Sequence, residues 1–316
     1  TVWNEAGAIS LDGTIDVSKN ASGTNDGAIR LKASGNITDT TNASLVGDTN
    51  GSLSAYSTGG KITLTQGATT AGTASGNLGD GTKGHKLATV AFKTDTAAGT
   101  DGSITYLDQT GLTVGSVTAG ATTPVSATNA NPSSVGAQSG ITTVAGTSNG
   151  DVKVRAGTGN HALTVSNAIT TTAGTTGVAS GAVVLEAGGA ITLGTGSITT
   201  SSFGNAAAGD VFIHQVSGNT NTITLTGAVS AKGGATGTAG ASSDGGKVTV
   251  WNEAGAISLD GTIDVSGGGA GNGGTIQLVS AGASSAITQT GTTTTTALLA
   301  TGAVGGSLKI KSADTV

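Results

Sequence analysis

The sequence predicts an all-β chain wound as a right-handed parallel β-helix, a solenoid of about nine to eleven coils. Three observations predict it. Gly accounts for 56 of 316 residues and charged residues for only 10%, a polar, small-residue composition. Yet the mean hydropathy is slightly positive and the net charge is only −5, which is not the low-hydrophobicity, high-charge signature of disorder. The third observation is a recurrent phrase: Gly, any residue, apolar, any residue, apolar, then a Gly-containing corner and a second alternating pair.

The phrase reads GAIRL at Gly27, GSITYL at Gly102, GDVKV at Gly150, GAVVL at Gly181 and GDVFI at Gly209. It continues as GKVTV at Gly246, GTIQL at Gly274 and GSLKI at Gly306. Period-two alternation of Val, Ile and Leu over four or five residues marks a strand with one buried face. Second strands follow as KITL (61–64), ALTV (162–165), AITL (190–193), TITL (222–225) and AISL (256–259), and a third apolar pulse falls at Ile169, Ile198, Val229 and Ile263. Three strands per unit make one turn of a coil too thin to bury anything alone, so stacked coils must supply the core. Parallel connections are overwhelmingly right-handed, which sets the expected hand. Glycines between pulses are expected to provide the positive φ angles of tight corners.

Two stretches break the rhythm and are read as loop insertions, 67–100 and 120–149; the second holds Pro124 and Pro132, the only prolines. The first has room for a weak coil around Leu87 and Val90. The phrase TVWNEAGAISLDGTIDVS occupies Thr1–Ser18 and returns unchanged at Thr249–Ser266. The chain is therefore read as residues 1–316 of one continuous solenoid, an excerpt of a longer repetitive chain with a unit of 1–248 and its next copy starting at 249.

Composition narrows the function classes. The absence of Cys removes disulfides, thiolate metal sites and Cys nucleophiles together. Arg30 and Arg155 are the only arginines, too few cations for a phosphate backbone, so nucleic acid is not an expected partner. No run of 18 apolar residues exists, so no helix is expected to insert in a membrane in this segment.

Candidate chemistry is sparse, and no catalytic residue, cofactor or enzymatic activity is expected. The acids Asp12 and Asp16 in LDGTIDV, repeated as Asp260 and Asp264, flank a Gly corner at a spacing that would suit one Ca²⁺; Asp-Gly is also a plain turn signal, the preferred reading. His85, His161 and His214 lie in different coils with no metal-like spacing, and no G-x-S-x-G elbow is present. GGGAGNGG (267–274) lacks the Asp of a calcium-binding repeat. Thr runs at 170–172 and 292–296 would suit an ice-binding face, but variable coil lengths are expected to spoil the registry that such a face needs.

The two tryptophans of the chain occupy equivalent places in the duplicated phrase, Trp3 and Trp251. Alternation turns Val248 and Val250 inward, so Trp251 and Trp3 point outward, either as corner plugs over the adjacent coil or as contacts to a neighbouring chain. They are the candidate assembly contacts.

Coils such as GAVVLEAGGAITLGTGSITTSS (181–202) and GKVTVWNEAGAISLDGTIDVSGGG (246–269) resemble the repeat region of filamentous haemagglutinin-type large exoproteins, adhesins exported by two-partner secretion. The resemblance implies a long, secreted stalk displayed at the cell surface. The NPNG-type signatures of that family's secretion domain are missing, since Asn131-Pro132-Ser133 is not one, and autotransporter passengers share such coils, which leaves the export route open. The expected function is a structural extracellular filament or adhesin stalk, partnered by copies of itself and by surface glycans. A glycan-binding or glycan-cleaving β-helix is the alternative, for which acids and aromatics clustered on one face would be the sign, and no such cluster is evident along the sequence. An ice-binding solenoid stands third.

Overall fold

A computed structural model describes residues 1–19, 26–47, 49–66, 84–95, 101–120, 136–145, 150–173, 177–202, 204–216, 218–234, 242–283, 285–289 and 297–313. Among them there is no helix, and the strands assemble into long parallel sheets stacked in chain order. The fold is a parallel β-helix. A ten-stranded sheet runs from Ile9–Leu11 to Ser307–Ser312, giving ten layers, and a sixteen-stranded sheet stands against it.

Alternation places the core as the sequence predicts. Ile62, Ile104, Val152, Val183, Val211, Val248 and Ile276 pair one on the next, each inward and buried. Such files bury aliphatic surface against aliphatic surface along the whole axis, at roughly 25 cal/mol per Å² removed from water. Each layer is stable only because its neighbours cover it.

The phrase glycines act by size rather than by conformation. Positive φ is confined among the described residues to Gly84, Gly140, Gly177, Gly204 and Gly269, none of which opens a phrase. Instead, a Cβ on Gly181, Gly209, Gly274 or Gly306 would run into the carbonyl oxygen of the phrase glycine one coil earlier, and one on Gly246 would stand 2.6 Å from the Gly209 oxygen. Consecutive coils touch backbone to backbone at this corner. Those carbonyls are also acceptors: from inside the core, Thr94, Thr143, Thr171 and Thr200 each donate Oγ1–H at 2.6 Å to Gly102, Gly150, Gly181 and Gly209 in turn. The buried hydroxyls satisfy corner carbonyls that the ladder leaves over.

Both stretches expected as insertions contribute strands. Thr89–Asp95 lies in 67–100 with Leu87, Val90 and Phe92 in the core, while Ile141–Ala145 and the antiparallel pair Ser116–Val117 with Gln138–Ser139 bound or occupy 120–149. The Thr89–Asp95 strand is also where the architecture changes. Below it, the sixteen-stranded sheet carries the six-residue strands Ala28–Ala33 and Ser52–Ser57. At it, that sheet forks: Thr89 and Val90 pair with Thr113 and Val114, whereas Phe92 to Asp95 pair with Ile141 to Val144. Just above it, that sheet still carries the five-residue strands Ile141–Ala145 and Ile169–Ala173, and from Val183–Ala187 onward the long strands lie on the ten-stranded sheet, through Val211–Gln215 and Lys247–Asn252.

The duplicated phrase therefore folds alike locally and differently globally. Asn4 Nδ2 donates to Ala8 O at 2.9 Å, and Asn252 Nδ2 to Ala256 O at 2.9 Å, so both copies turn the same corner. Yet Val2–Asn4 belongs to the sixteen-stranded sheet and Lys247–Asn252 to the ten-stranded one.

Candidate functional site

Two groups of chemically capable side chains stand out, one enclosed and one on the surface. The enclosed group sits in the coil of the fork. The Leu45 N–H donates to His85 Nδ1 at 3.1 Å, so the other ring nitrogen carries the proton and donates to Asp39 Oδ2 at 2.9 Å. Asp39 Oδ2 also accepts from the Thr65 and Gln66 amides, each at 2.7 Å. Tyr106 stacks on His85 with centroids 5.7 Å apart and donates its hydroxyl to Asp108 Oδ2 at 2.6 Å. Asp108 further accepts from Leu87 N at 3.0 Å and from Thr110 N and Oγ1 at 2.8 and 2.7 Å. Burial pushes the Asp108 carboxyl up from the usual carboxylate range and the Tyr106 hydroxyl well above its ordinary value, the latter reinforced by the Asp108 charge. His85, Tyr106 and Asp108 are buried and hydrogen-bonded, so the group fastens the fork.

The surface group lies on the outer face of the long strands. On the sixteen-stranded sheet, Trp3, Lys32, Tyr56 and Lys93 pair in one file. Lys32 Nζ is 4.7 Å from the Trp3 ring centroid and 5.8 Å from that of Tyr56, and Lys93 Nζ is 5.1 Å from Tyr56 on the other side. Such cation–π contacts contribute about 0.5–1 kcal/mol each at exposed sites. Tyr56 donates its hydroxyl to Asp95 at 2.5 Å, and partial burial with that acid pushes it up to about 12.

On the ten-stranded sheet the file runs Arg155, Glu186, His214, Trp251, Val279, Lys311. His214 and Trp251 stack with centroids 4.7 Å apart and ring planes at 24°, and Phe212 flanks the imidazole at 5.2 Å. His214 Nε2 meets Glu253 Oε1 at 3.1 Å, while its Nδ1 lies 3.9 Å from Glu186 Oε1, too long for a hydrogen bond. Lys153 Nζ is 3.5 Å from the other Glu186 oxygen. His214 first, then Lys153 and Arg155, hold Glu186 below the usual carboxylate range against the effect of burial.

Compared with known protein families, curated proteins and solved structures, the chain matches none.

The outer file corrects one reading of the sequence. Acids and aromatics do gather on one face: Glu186, Glu253, His214, Phe212 and Trp251 come together from three consecutive coils. The signal was present, because each member of the file follows its phrase glycine by the same offset: Arg155 after Gly150, Glu186 after Gly181, His214 after Gly209, Trp251 after Gly246. Aligning coils on that glycine reveals the file. Register on the second strands holds for one residue per coil rather than for a Thr pair. Thr113, Thr164, Thr192, Thr224, Ser258 and Thr288 pair in one unbroken outer file, since differences in coil length are absorbed between strands. In the 170–172 run, Thr170 faces outward while Thr171 is buried; 292–296 lie outside the described residues.

The remaining candidates fall as follows. Val248 and Val250 are inward and buried, and Trp251 is 39% exposed. Trp251 covers the adjacent coil's His214 and Trp3 covers Lys32, so both pack over a neighbouring coil. Asp16 and Asp264 accept from Ser18 and Ser266 amides at 2.8 and 2.9 Å, the same local turn. Asp264 also faces Lys232 Nζ at 3.9 Å. Asp12 accepts from Thr40 Oγ1 and Asn42, and the Asp260 amide donates to Leu225 O at 2.9 Å. Among the described residues, no three His, Asp or Glu side chains converge as metal ligands.

Proposed function

We propose that this chain is a structural rod, a segment of an extracellular or cell-surface filament or adhesin stalk of the kind found in filamentous haemagglutinin-type exoproteins. The observation that carries the reading is the unbroken inward file from Ile62 to Ile276, with every coil hydrogen-bonded to the next along the axis. Pulling on such a rod loads many parallel bonds and buried aliphatic contacts together. Leu308 and Ile310, in register with Ile276 and Leu278, are exposed on the Ser307–Ser312 strand.

Electron microscopy of material purified without denaturant tests this reading. Seven layers separate the two copies of the phrase, about 34 Å at about 4.8 Å per layer. Fibres with an axial repeat commensurate with that length are expected. Rods that stay separate at every concentration would remove the self-association part of the proposal.

A second reading, glycan binding along the outer face, is favoured by the cluster of Trp251, His214, Phe212, Glu186 and Glu253. Stacked aromatics beside carboxylates and ammonium groups are the surface on which a saccharide finds both apolar and hydrogen-bonding partners.

A further inference from the structure

We propose that the step in the outer file between Trp251 and Lys311, floored by Val279, is a slot for one neutral pyranose ring of a polysaccharide lying against the rod. The proposal rests on the glycan-binding reading and names where and how that binding occurs.

The argument begins with register. Trp251, Val279 and Lys311 occupy the same outward position on three consecutive strands. His214 covers one face of the indole at 4.7 Å. The next residue of the file is Val279, far smaller than an aromatic ring, and Trp251 remains 39% exposed. Two layers separate Trp251 from Lys311, roughly 9–10 Å at the usual strand spacing. That interval accepts one ring in van der Waals contact with the indole, and no more.

The first half of the rod supplies an internal comparison. There the equivalent file has no gap: Trp3 is followed directly by Lys32, then Tyr56, then Lys93, with each ammonium within 5.8 Å of a ring. In the second half the same order, aromatic then cation, is interrupted by a single small residue. A ring seated over Val279 would complete the alternation.

The chemistry of the walls selects the ring. An indole face takes the apolar C–H face of a pyranose. Lys311 offers an ammonium, and Gln277, the outward residue two positions before Val279, offers an amide donor and acceptor for ring hydroxyls, while the Glu253 carboxylate beside the His214–Trp251 stack opposes an acidic sugar and leaves a neutral ring the better match. A purely aromatic ring would meet the indole but leave Gln277 unused.

The test uses the full chain carrying Trp3→Phe, so that Trp251 alone reports by fluorescence. It is titrated with tetrasaccharides of glucose, of mannose and of glucuronate, with calorimetry in parallel. Saturable binding of a neutral tetrasaccharide with a shift in Trp251 emission is expected. Val279→Phe, which fills the slot with an outward side chain and leaves the core files intact, is expected to weaken binding at least tenfold. Trp251→Ala should do the same. Binding that survives Val279→Phe overturns the slot while leaving the glycan-binding reading in place. No binding of any tetrasaccharide overturns both. Preference for the glucuronate over the neutral sugars overturns the neutral ring. An emission change that follows protein concentration instead of sugar overturns the slot in favour of contact between copies.

Discussion

The His85 imidazole meets Asp39 Oδ2 at 2.9 Å, 46 residues away in sequence, in the coil where the long strand passes from one sheet to the other. Side chains of both partners are almost wholly buried. A polar pair in the core is costly unless complete, and completeness gives it the power to specify one arrangement.

Breaking that pair is therefore expected to be severe. His85→Leu removes the donor to Asp39 and the acceptor for the Leu45 amide, and should cost about 3–5 kcal/mol in urea unfolding, the range for a broken buried pair. Because solenoid coils couple chiefly to their neighbours, the unfolding curve should also split into two transitions, one on each side of the fork. A single transition with a loss under about 1 kcal/mol would show that the aliphatic files alone hold the fork.

The threonine-to-glycine bonds predict a second pair of outcomes. Thr171→Val keeps the shape but leaves the Gly181 carbonyl without its donor, and should cost about 1–3 kcal/mol. Gly181→Ala forces a methyl against the Gly150 carbonyl and should cost about 1–3 kcal/mol through overpacking. Thermal or urea melts of the two variants check both, and Thr170→Val, on the outer face of the same strand, should be close to neutral.

Two carboxyls give acid-range stability opposite signs. Glu186 is held below the ordinary glutamate value of 4.5, so the unfolded chain binds more protons near that pH. Its contribution is present above 4.5 and is lost as pH falls through the lower folded value. Asp108 is raised from 3.8; its contribution is fully present below 3.8 and is lost as pH rises through the higher folded value. Glu186→Gln should therefore flatten the loss of stability on acidification below 4.5, measured as the urea midpoint against pH. An unchanged slope would remove Glu186 from that role.

Trp251 fluorescence should report the outer file directly. In Trp3→Phe, the further change His214→Ala uncovers the second indole face, and the emission is expected to move to longer wavelength with greater quenching by acrylamide. The global unfolding free energy should fall by about 0.5–1.5 kcal/mol, the range for an aromatic pair. Unchanged emission would mean that the stack does not persist in solution.

Strand positions were legible in the sequence because alternation and burial are the same fact seen twice: Val248 and Val250 turn inward wherever the strand is placed. Corners were legible as well, since Asn4 and Asn252, or Asp16 and Asp264, close their turns within four residues. The reason for the phrase glycines was not, because it lies in the coil before: Gly181 needs its missing side chain on account of Gly150. The outer file was written at a constant offset from those glycines, but its meaning depends on register. By itself the sequence determined a parallel β-helix, its inward residues and its local turns, all of which rest on contacts between near neighbours and on a repeat that brings like onto like. Only the tertiary structure decided on which sheet each Trp stands, that His85 reaches Asp39 and stacks on Tyr106, and that Glu186, His214 and Trp251 form one surface. Those outcomes follow from how many layers, and which fork, intervene between residues that the chain itself holds far apart.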